Sequence, residues 1–304
     1  MSANQSNPLQ PARVAIVLLN WNNAEDTLAC IESLQNLTYR DFQIVVVDNC
    51  SLSSDYAVLT AGCTGKVILR QKRNRGFAGG CNVGIRWAVR NGFDYVWLLN
   101  NDTVVDPASV DELIQVMTDD PSVGMVGAVM YYWSDPERIQ IAGGFIDPET
   151  SQGGMLGRNE LDRGQFNGVR DVDYVSGGAS LVRVKAIKEV GLLDERFFMY
   201  YEDTDWGLRM RARGWRVVTN SAAKVWHKDR ASAGNKQQYF GQHGYLMFLY
   251  KNFPHHLPHA LRLHARRHMR PHLQRREWKL LLADAKVYWK FISRLAFVKA
   301  NLQL

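Results

Sequence analysis

Apolar and polar positions alternate along the first hundred residues in two periods. Val14 to Leu19 is an unbroken apolar run, as a strand buried on both faces requires. Asn23 or Asp26 can then cap a helix in which Leu28, Ile31, Leu34 and Leu37 recur at helical spacing. Ile44 to Val47 is a second buried strand, closed by Asp48 and Asn49, and Val67 to Leu69 is a short third. Phe77 to Arg90 has helical spacing and follows glycines; Tyr95 to Leu99 is a fourth strand, ending at Asn100, Asn101 and Asp102. This alternation predicts an α/β fold with a mostly parallel, Rossmann-like central sheet flanked by helices.

Polar residues stand just past three of these strands: Asn20 and Asn22, Asp48 and Asn49, and Asn100 to Asp102. Open α/β sheets bind ligands at that edge. Downstream the pattern changes. A helix follows Asp106-Pro107, and Gly124 to Met130 is another apolar strand. Residues 143–170, rich in Gly, Asp, Asn and Arg, read as a long loop or hairpin region. Val172 to Val184 encloses Ser176-Gly177-Gly178-Ala179 and reads as strands meeting at a tight turn or a close backbone approach. Trp215 to Thr219 and Ala223 to Trp226 are two short strands, the second ending at His227. Beyond residue 235 the chain reads as helical and basic. Tyr245, Leu246, Phe248 and Leu249 share an apolar face there, and Pro254, Pro258 and Pro271 divide the segment.

The length, 304 residues with 46% hydrophobic and 22% charged, supports a substantial core. The expected organisation is a frayed polar tail at 1–12, one domain at 13–234, and a basic helical extension at 235–304. Within the domain, 13–102 carries the strand–helix alternation and its polar strand ends, and 103–234 the changed pattern downstream. No stretch offers 18 uninterrupted apolar residues, and the N-terminus lacks the apolar segment of a secretory signal. Cys30, Cys50, Cys63 and Cys81 form no C-x-x-C pair and no zinc spacing, so reduced thiols and a cytoplasmic location are expected. The formal charge of +7 is uneven. Residues 251–304 hold 12 Lys/Arg against 2 Asp/Glu, which leaves the remainder slightly acidic. A basic tail on an acidic body suits an anionic surface.

The densest chemistry lies between Phe197 and Arg209, where Glu202, Asp203 and Asp205 fall within four positions among aromatic residues. Carboxylates beside apolar bulk have perturbed pKa values, which suits general-base work. In a helix beginning near Glu202, Glu202 and Asp205 share a face, and Asp205 pairs with Arg209 at i,i+4. Asp203 is rotated from Glu202 by about 100°. Its i+3 and i+4 neighbours are Trp206 and Gly207, so no cation of its own helix reaches it. It serves either as a base or as a complement to the helix dipole. Elsewhere, the run Arg73 to Gly84 is neither a Walker A loop nor a dinucleotide fingerprint. Its glycines can bring N–H groups to a phosphate, with Arg73 and Arg75 adding charge, or can simply pack a helix closely. Asp102 either caps a helix or holds a hard cation, which needs only one or two protein carboxylates when a diphosphate supplies other ligands. His227 becomes a ligand candidate only if the fold places it near Asp102. The six histidines between 255 and 272 read as a solvated basic face.

Together these motifs resemble the family-two glycosyltransferases, which have the GT-A fold. The resemblance rests on Val-Val-Val-Asp-Asn at 45–49, Asn-Arg-Gly-Phe-Ala-Gly-Gly-Cys-Asn-Val-Gly at 74–84, Leu-Leu-Asn-Asn-Asp at 98–102 and Glu-Asp-Thr-Asp-Trp at 202–206. The Gly-Phe-Ala-Gly-Gly run is similar to the bacterial rhamnosyltransferase subgroup. The resemblance implies that Asp48 contacts the nucleotide base with Asn20 and Asn22 nearby. Asn49, Arg75, Gly76, Asn82, Asn100 and Asn101 complete the implied nucleotide site. Asp102 matches the last carboxylate of the family's D-x-D motif and His227 a downstream histidine, so both would hold Mg²⁺ or Mn²⁺. Asn100 stands where that motif has its first acid; it can still hydrogen-bond ribose or a metal-bound water. Asp203 matches the catalytic base, with Glu202, Asp205 and Arg209 in support.

The implied activity is inverting transfer of a sugar from a nucleotide-sugar donor to a hydroxyl of a glycan or lipid-linked saccharide. Rhamnose from dTDP-rhamnose is the narrower expectation, in cell-wall or polysaccharide biosynthesis. Two other classes compete. A nucleotidyltransferase could use the same sheet and metal but has no need of the Glu-Asp helix. A nucleic-acid-binding module would use the basic tail but leaves the acidic cluster unexplained, so no nucleic acid is expected. The tail, from Arg262 to Arg276 and on through Tyr288, Trp289, Phe291, Ile292, Leu295 and Phe297, suits an interfacial helix on the inner face of the cytoplasmic membrane. Packing on the catalytic domain, or on a second subunit of a homo-oligomer, is the other reading.

Overall fold

A computed structural model describes residues 12–228 and 234–278, with scattered positions from 281 to 289. Residues 1–11 of the expected tail, and the apolar positions Tyr288, Phe291, Ile292, Leu295 and Phe297, lie outside the described residues.

The first third of the chain is a run of β-α units: β1 (Val14–Asn20), α1 (Ala24–Leu34), β2 (Phe42–Asp48), α2 (Ser53–Gly62), β3 (Val67–Arg70), α3 (Gly76–Arg90) and β4 (Tyr95–Asn100). After it come β5 (Thr103–Val105), α4 (Ser109–Asp119), β6 (Val123–Tyr132), β7 (Asp135–Ile141) and a small hairpin of β8 (Gly144–Ile146) and β9 (Gly153–Met155). Then follow β10 (Val169–Asp171), β11 (Ala179–Arg183), α5 (Val184–Val190), α6 (Glu202–Ala212) and β12 (Arg216–His227). The C-terminal segment holds α7 (Gly234–Asn252), α8 (Leu257–His264), a π-helical turn at Ala265–Met269 and α9 (Arg270–Gln274).

The main sheet runs β10-β12-β6-β11-β4-β1-β2-β3, with β5 beside β12 and β7 beside β6. Strands β4, β1, β2 and β3 are mutually parallel, as are β6 and β12; β11 runs antiparallel between β6 and β4. Both faces are buried, which explains the unbroken apolar runs. Val14, Ile16 and Leu18 pack with Ile31 and Leu34 of α1 and Leu113 of α4. Ala15 and Val17 pack on the other face with Ala78 and Ile85 of α3 and Trp206 of α6.

Two local expectations change. Of Val172 to Val184 only Ala179–Arg183 is a strand of the sheet, because a turn closed by Ala179 N–H on the Ser176 carbonyl (3.1 Å) bends the preceding chain out of it. The two strands expected at 215–226 are one, β12, paired with β6 on both sides of a register shift between Asn220 and Lys224. The four cysteines are free thiols.

Candidate active site

Parallel pairing lines up the polar strand ends. Asn20 is in register with Asp48, and Leu19 with Asn100. The Asn20 amide donates to Asp48 Oδ1 (3.3 Å), Ser51 Oγ (3.1 Å) and Asp55 Oδ2 (2.9 Å), and its oxygen accepts from Thr27 (2.9 Å). Asp48 is fully buried, with Arg70 Nε 3.5 Å from its Oδ2. Asn22 takes the left-handed conformation (φ 53°) and its Oδ1 accepts the Leu52 N–H (2.7 Å). Between the two asparagines Trp21 is half exposed (48%). Asn49 shapes the next turn. Its Oδ1 accepts the Arg75 N–H (2.9 Å) and its amide donates to the Gly76 carbonyl (3.0 Å). The Arg75 guanidinium pairs with Glu195 at 2.7 Å. Asn82 is buried and bonds to Leu193 and Glu195, tying the segment before α6 to α3. The Asn101 amide donates to Thr27 Oγ1 (2.8 Å), tying the end of β4 to α1.

Strand pairing also delivers His227. It is in register with Thr103 of β5, next to Asp102, and the Lys228 N–H bonds the Asp102 carbonyl (2.9 Å). His227 Nε2 lies 3.0 Å from Asp102 Oδ1 and 3.2 Å from Asn100 Nδ2. Its Nδ1 lies 3.0 Å from Gln140 Oε1 on β7, an acceptor. The Nδ1–H tautomer satisfies that contact and turns the Nε2 lone pair toward Asp102. A carboxylate oxygen and an imidazole lone pair converging within 3.0 Å are a donor set a divalent cation fits. Among the described residues no group of three or more His, Cys, Asp or Glu could hold a metal ion. Other ligands must then come from substrate or water.

The third part is α6. Asp203 sits in its first turn, partly exposed. The Gly177 N–H donates to its Oδ2 (3.0 Å), and the Thr204 N–H to its Oδ1 (2.7 Å). Burial pushes its carboxyl above the usual range, against the pull of these donors. Glu202 is buried and its Oε2 accepts no hydrogen bond among the described residues. Burial first, and the Asp203 charge second, raise its carboxyl well above the usual range. Asp203 accepts three hydrogen bonds that favour its charged form and Glu202 Oε2 accepts none among the described residues, so of the pair Asp203 ionises first. Asp205 is fully buried and pairs with Arg209 (2.8 Å), whose guanidinium also donates to the Val190 and Leu192 carbonyls.

The Ser176–Gly178 turn joins the Asp203 carboxylate to Asn100 at the end of β4. Gly177 holds Asp203, and the Gly178 carbonyl accepts the Asn100 N–H (2.9 Å). A Cβ at Gly178 would lie 2.9 Å from the Asn100 amide, so only glycine admits the approach. Spacing had pointed to a close backbone approach here, but not to its partner. Gln140 and Trp21 escaped sequence reasoning altogether: a glutamine on a polar edge strand and a tryptophan after an apolar run carry no motif.

A mostly parallel sheet with an Asp/His pair and a helix-borne carboxylate at one edge defines a glycosyltransferase of the GT-A fold. Comparisons agree. The model of "Glycosyl transferase family 2" matches residues 15–191, more than half of the chain, and the chain belongs to that family. Among curated proteins it is similar to N-acetylglucosaminyl-diphospho-decaprenol L-rhamnosyltransferase of Mycobacterium tuberculosis. The two are 28% identical over 232 residues, 67% of this chain and 72% of that protein. It is also similar to the low-salt glycan biosynthesis hexosyltransferase Agl10 of Haloferax volcanii, 25% identical over 65% of this chain and 61% of that one. In fold it is similar to GalNAc-T7 solved with UDP, GalNAc and Mn²⁺ (TM-score 0.61, 15% identity, 79% of this chain and 48% of that). A second fold match is a mannosyltransferase of Pyrobaculum calidifontis solved with GDP-Man and Mn²⁺ (TM-score 0.58, 13% identity, 98% and 82%).

Proposed function

We propose that this enzyme transfers a sugar, with rhamnose from dTDP-rhamnose as the first candidate, to a hydroxyl of a glycan or lipid-linked saccharide with inversion. The carrying observation is the Ser176–Gly178 turn, which bonds Asp203 on one side and Asn100 on the other. This link supports reading Asp203 and the Asp102–His227 pair as parts of one site. The rhamnose reading draws on the relative in Mycobacterium tuberculosis, whose name specifies L-rhamnosyl transfer to N-acetylglucosaminyl-diphospho-decaprenol.

In the reaction the acceptor oxygen attacks the anomeric carbon. The bond from that carbon to the diphosphate oxygen breaks, and the nucleoside diphosphate leaves with the electron pair. Asp203 takes the hydroxyl proton, a contribution of about 10²–10⁴-fold for a positioned base. Asp102 and His227 would hold the divalent cation, which when bound neutralises charge on the departing diphosphate. Gln140 keeps the His227 ring turned toward that position. Asn20 and Asp48 form the floor for the base, and the exposed face of Trp21 offers it a stacking surface. Asn22, Asn49 and Asn101 brace the loops around it, with Arg75, Gly76 and Asn82 at the start of α3.

The C-terminal segment is proposed to approach an anionic membrane, where a lipid-linked acceptor resides. Leu273, Trp278, Leu282 and Trp289 are each more than half exposed within the most basic part of the chain. No helix among the described residues is long and apolar enough to cross a membrane.

Binding and slow hydrolysis of dTDP-rhamnose, UDP-sugars and GDP-sugars, measured with and without Mg²⁺ or Mn²⁺, test the reading. Metal-dependent release of a nucleoside diphosphate is the expected result. Release of pyrophosphate would identify a nucleotidyltransferase, and equal affinity with and without metal would remove the Asp102–His227 site.

A further inference from the structure

We propose that α7 clamps the turn leading into α6, and that Lys251, with Asn252, is a positioning residue for Asp203. The proposal rests on Asp203 being the base. The buried Asp205 carboxylate, one turn into α6, has one cation from its own helix, Arg209. The second comes from α7. Lys251 Nζ lies 2.8 Å from Asp205 and 2.8 Å from Asp194, and the Asn252 amide donates to Asp205 at 3.2 Å. Burial works against ionisation of Asp194, yet Arg196 and Lys251 hold its carboxyl far below the usual range. Lys251 therefore joins the buried Asp205 carboxylate on α6 to the partly buried Asp194 carboxylate on the segment before it.

Further contacts of α7 fall on the turn itself. Tyr200 and Tyr201 both adopt φ 70°, a left-handed conformation that side-chain-bearing residues keep only where the surroundings over-determine it. The Tyr201 ring packs against Tyr245 (5.7 Å between centroids) and Phe248 (5.4 Å) of α7, and Phe198 stacks on Phe240 (4.9 Å). At Gly244 the backbones meet so closely that a Cβ would lie 2.6 Å from the Tyr200 carbonyl oxygen. The hydrogen bonds from Gly177 and Thr204 fix the Asp203 carboxylate on α6. What fixes where α6 begins is this turn, and α7 covers it. A helix that the chain could have used as a detached extension is instead part of the mould for the base.

A misplacement of about 1 Å at a reacting group costs on the order of a hundredfold in rate. Lys251→Met should therefore lower kcat by roughly ten- to a hundredfold. Donor KM and donor affinity by calorimetry should stay within about twofold of wild type, because the partners of Lys251 among the described residues are Asp194 and Asp205, neither of them in the proposed nucleotide site. Lys251→Arg, which keeps a cation between the two carboxylates, should recover most of kcat. Gly244→Ala, which leaves every charge in place but pushes on Tyr200, should reproduce the kcat loss. It decides the matter if Lys251→Met does not fold. Asp203→Asn is measured alongside. If it abolishes transfer while Lys251→Met and Gly244→Ala keep wild-type kcat, the clamp is wrong and the base stands. A failure of Lys251→Arg to restore kcat also overturns it. If Asp203→Asn itself keeps transfer, the base assignment fails first.

Discussion

At the scale of single residues the site is governed by two adjacent carboxyls in different surroundings. Glu202 is buried with an oxygen that accepts no hydrogen bond among the described residues, whereas Asp203 accepts from two backbone N–H groups and one hydroxyl. Glu202 therefore keeps its proton to higher pH than an ordinary glutamate. The native state binds that proton and the unfolded state releases it above about pH 4.3, so between the unfolded and folded pKa values stability falls as pH rises. Glu202→Gln removes this loss. Its unfolding free energy should match wild type near pH 4 and exceed it increasingly toward neutral pH, by up to about 1.4 kcal/mol per pH unit. A constant difference across pH would contradict a neutral Glu202. Asp203, raised by burial, must be ionised to act, so kcat/KM should fall on the acid side at a pH above the normal aspartate range. Glu202→Gln should leave that limb where it is, since Asp203 ionises first. Sequence geometry separated Asp203 from Asp205 correctly through the Arg209 pair, because i,i+4 contacts are local. It assigned Glu202 to the same face as Asp205 and could not see that this face ends in the core, because burial comes from partners distant in sequence.

Elements carry the next level of constraint. Helix α3 starts at Gly76 with φ +72°, where an added Cβ would collide with the Phe198 carbonyl, the group that also accepts the Phe77 N–H at 2.7 Å. This single junction joins the turn before α3 to the segment before α6. Gly92 has the same backbone sign (φ +71°) but open space around it, so alanine there bears only the conformational cost of about 1 kcal/mol. Gly76→Ala should destabilise by clearly more than Gly92→Ala in denaturant titration. Equal losses would show that the Phe198 contact is not under constraint. The glycine-before-helix signal was legible in the sequence; its partner was not, since nothing local links Gly76 to Phe198. The parallel strands were legible for the same reason in reverse: burial on both faces writes itself as continuous apolar runs. Strands β5 and β7 were not. The first has three residues, and the second carries Pro136 and exposed charges, as an edge strand does.

Over the whole molecule, charge and architecture divide the labour. The catalytic body is near neutral, and the basic residues gather after α7. If that segment docks on anionic lipid, full-length protein should float with anionic liposomes in low salt, and a chain ending after α7 should not. Flotation of both alike would refute a membrane role for the segment. The charge asymmetry could be read from the sequence. The packing of α7 on α6 could not, because Lys251 and Asn252 carry no motif and their partner Asp205 already had a cation in its own helix. The order of motifs did reveal the family, and the polar strand ends that pointed to one edge of the sheet do lie in register. The central claim is that Asp203 is the base at that edge, and Asp203→Asn tests it most directly. Steady-state transfer and donor affinity are measured on the same preparation. The account predicts that donor affinity stays near wild type while kcat falls by at least about a hundredfold. A variant that keeps more than about a tenth of wild-type kcat would contradict it.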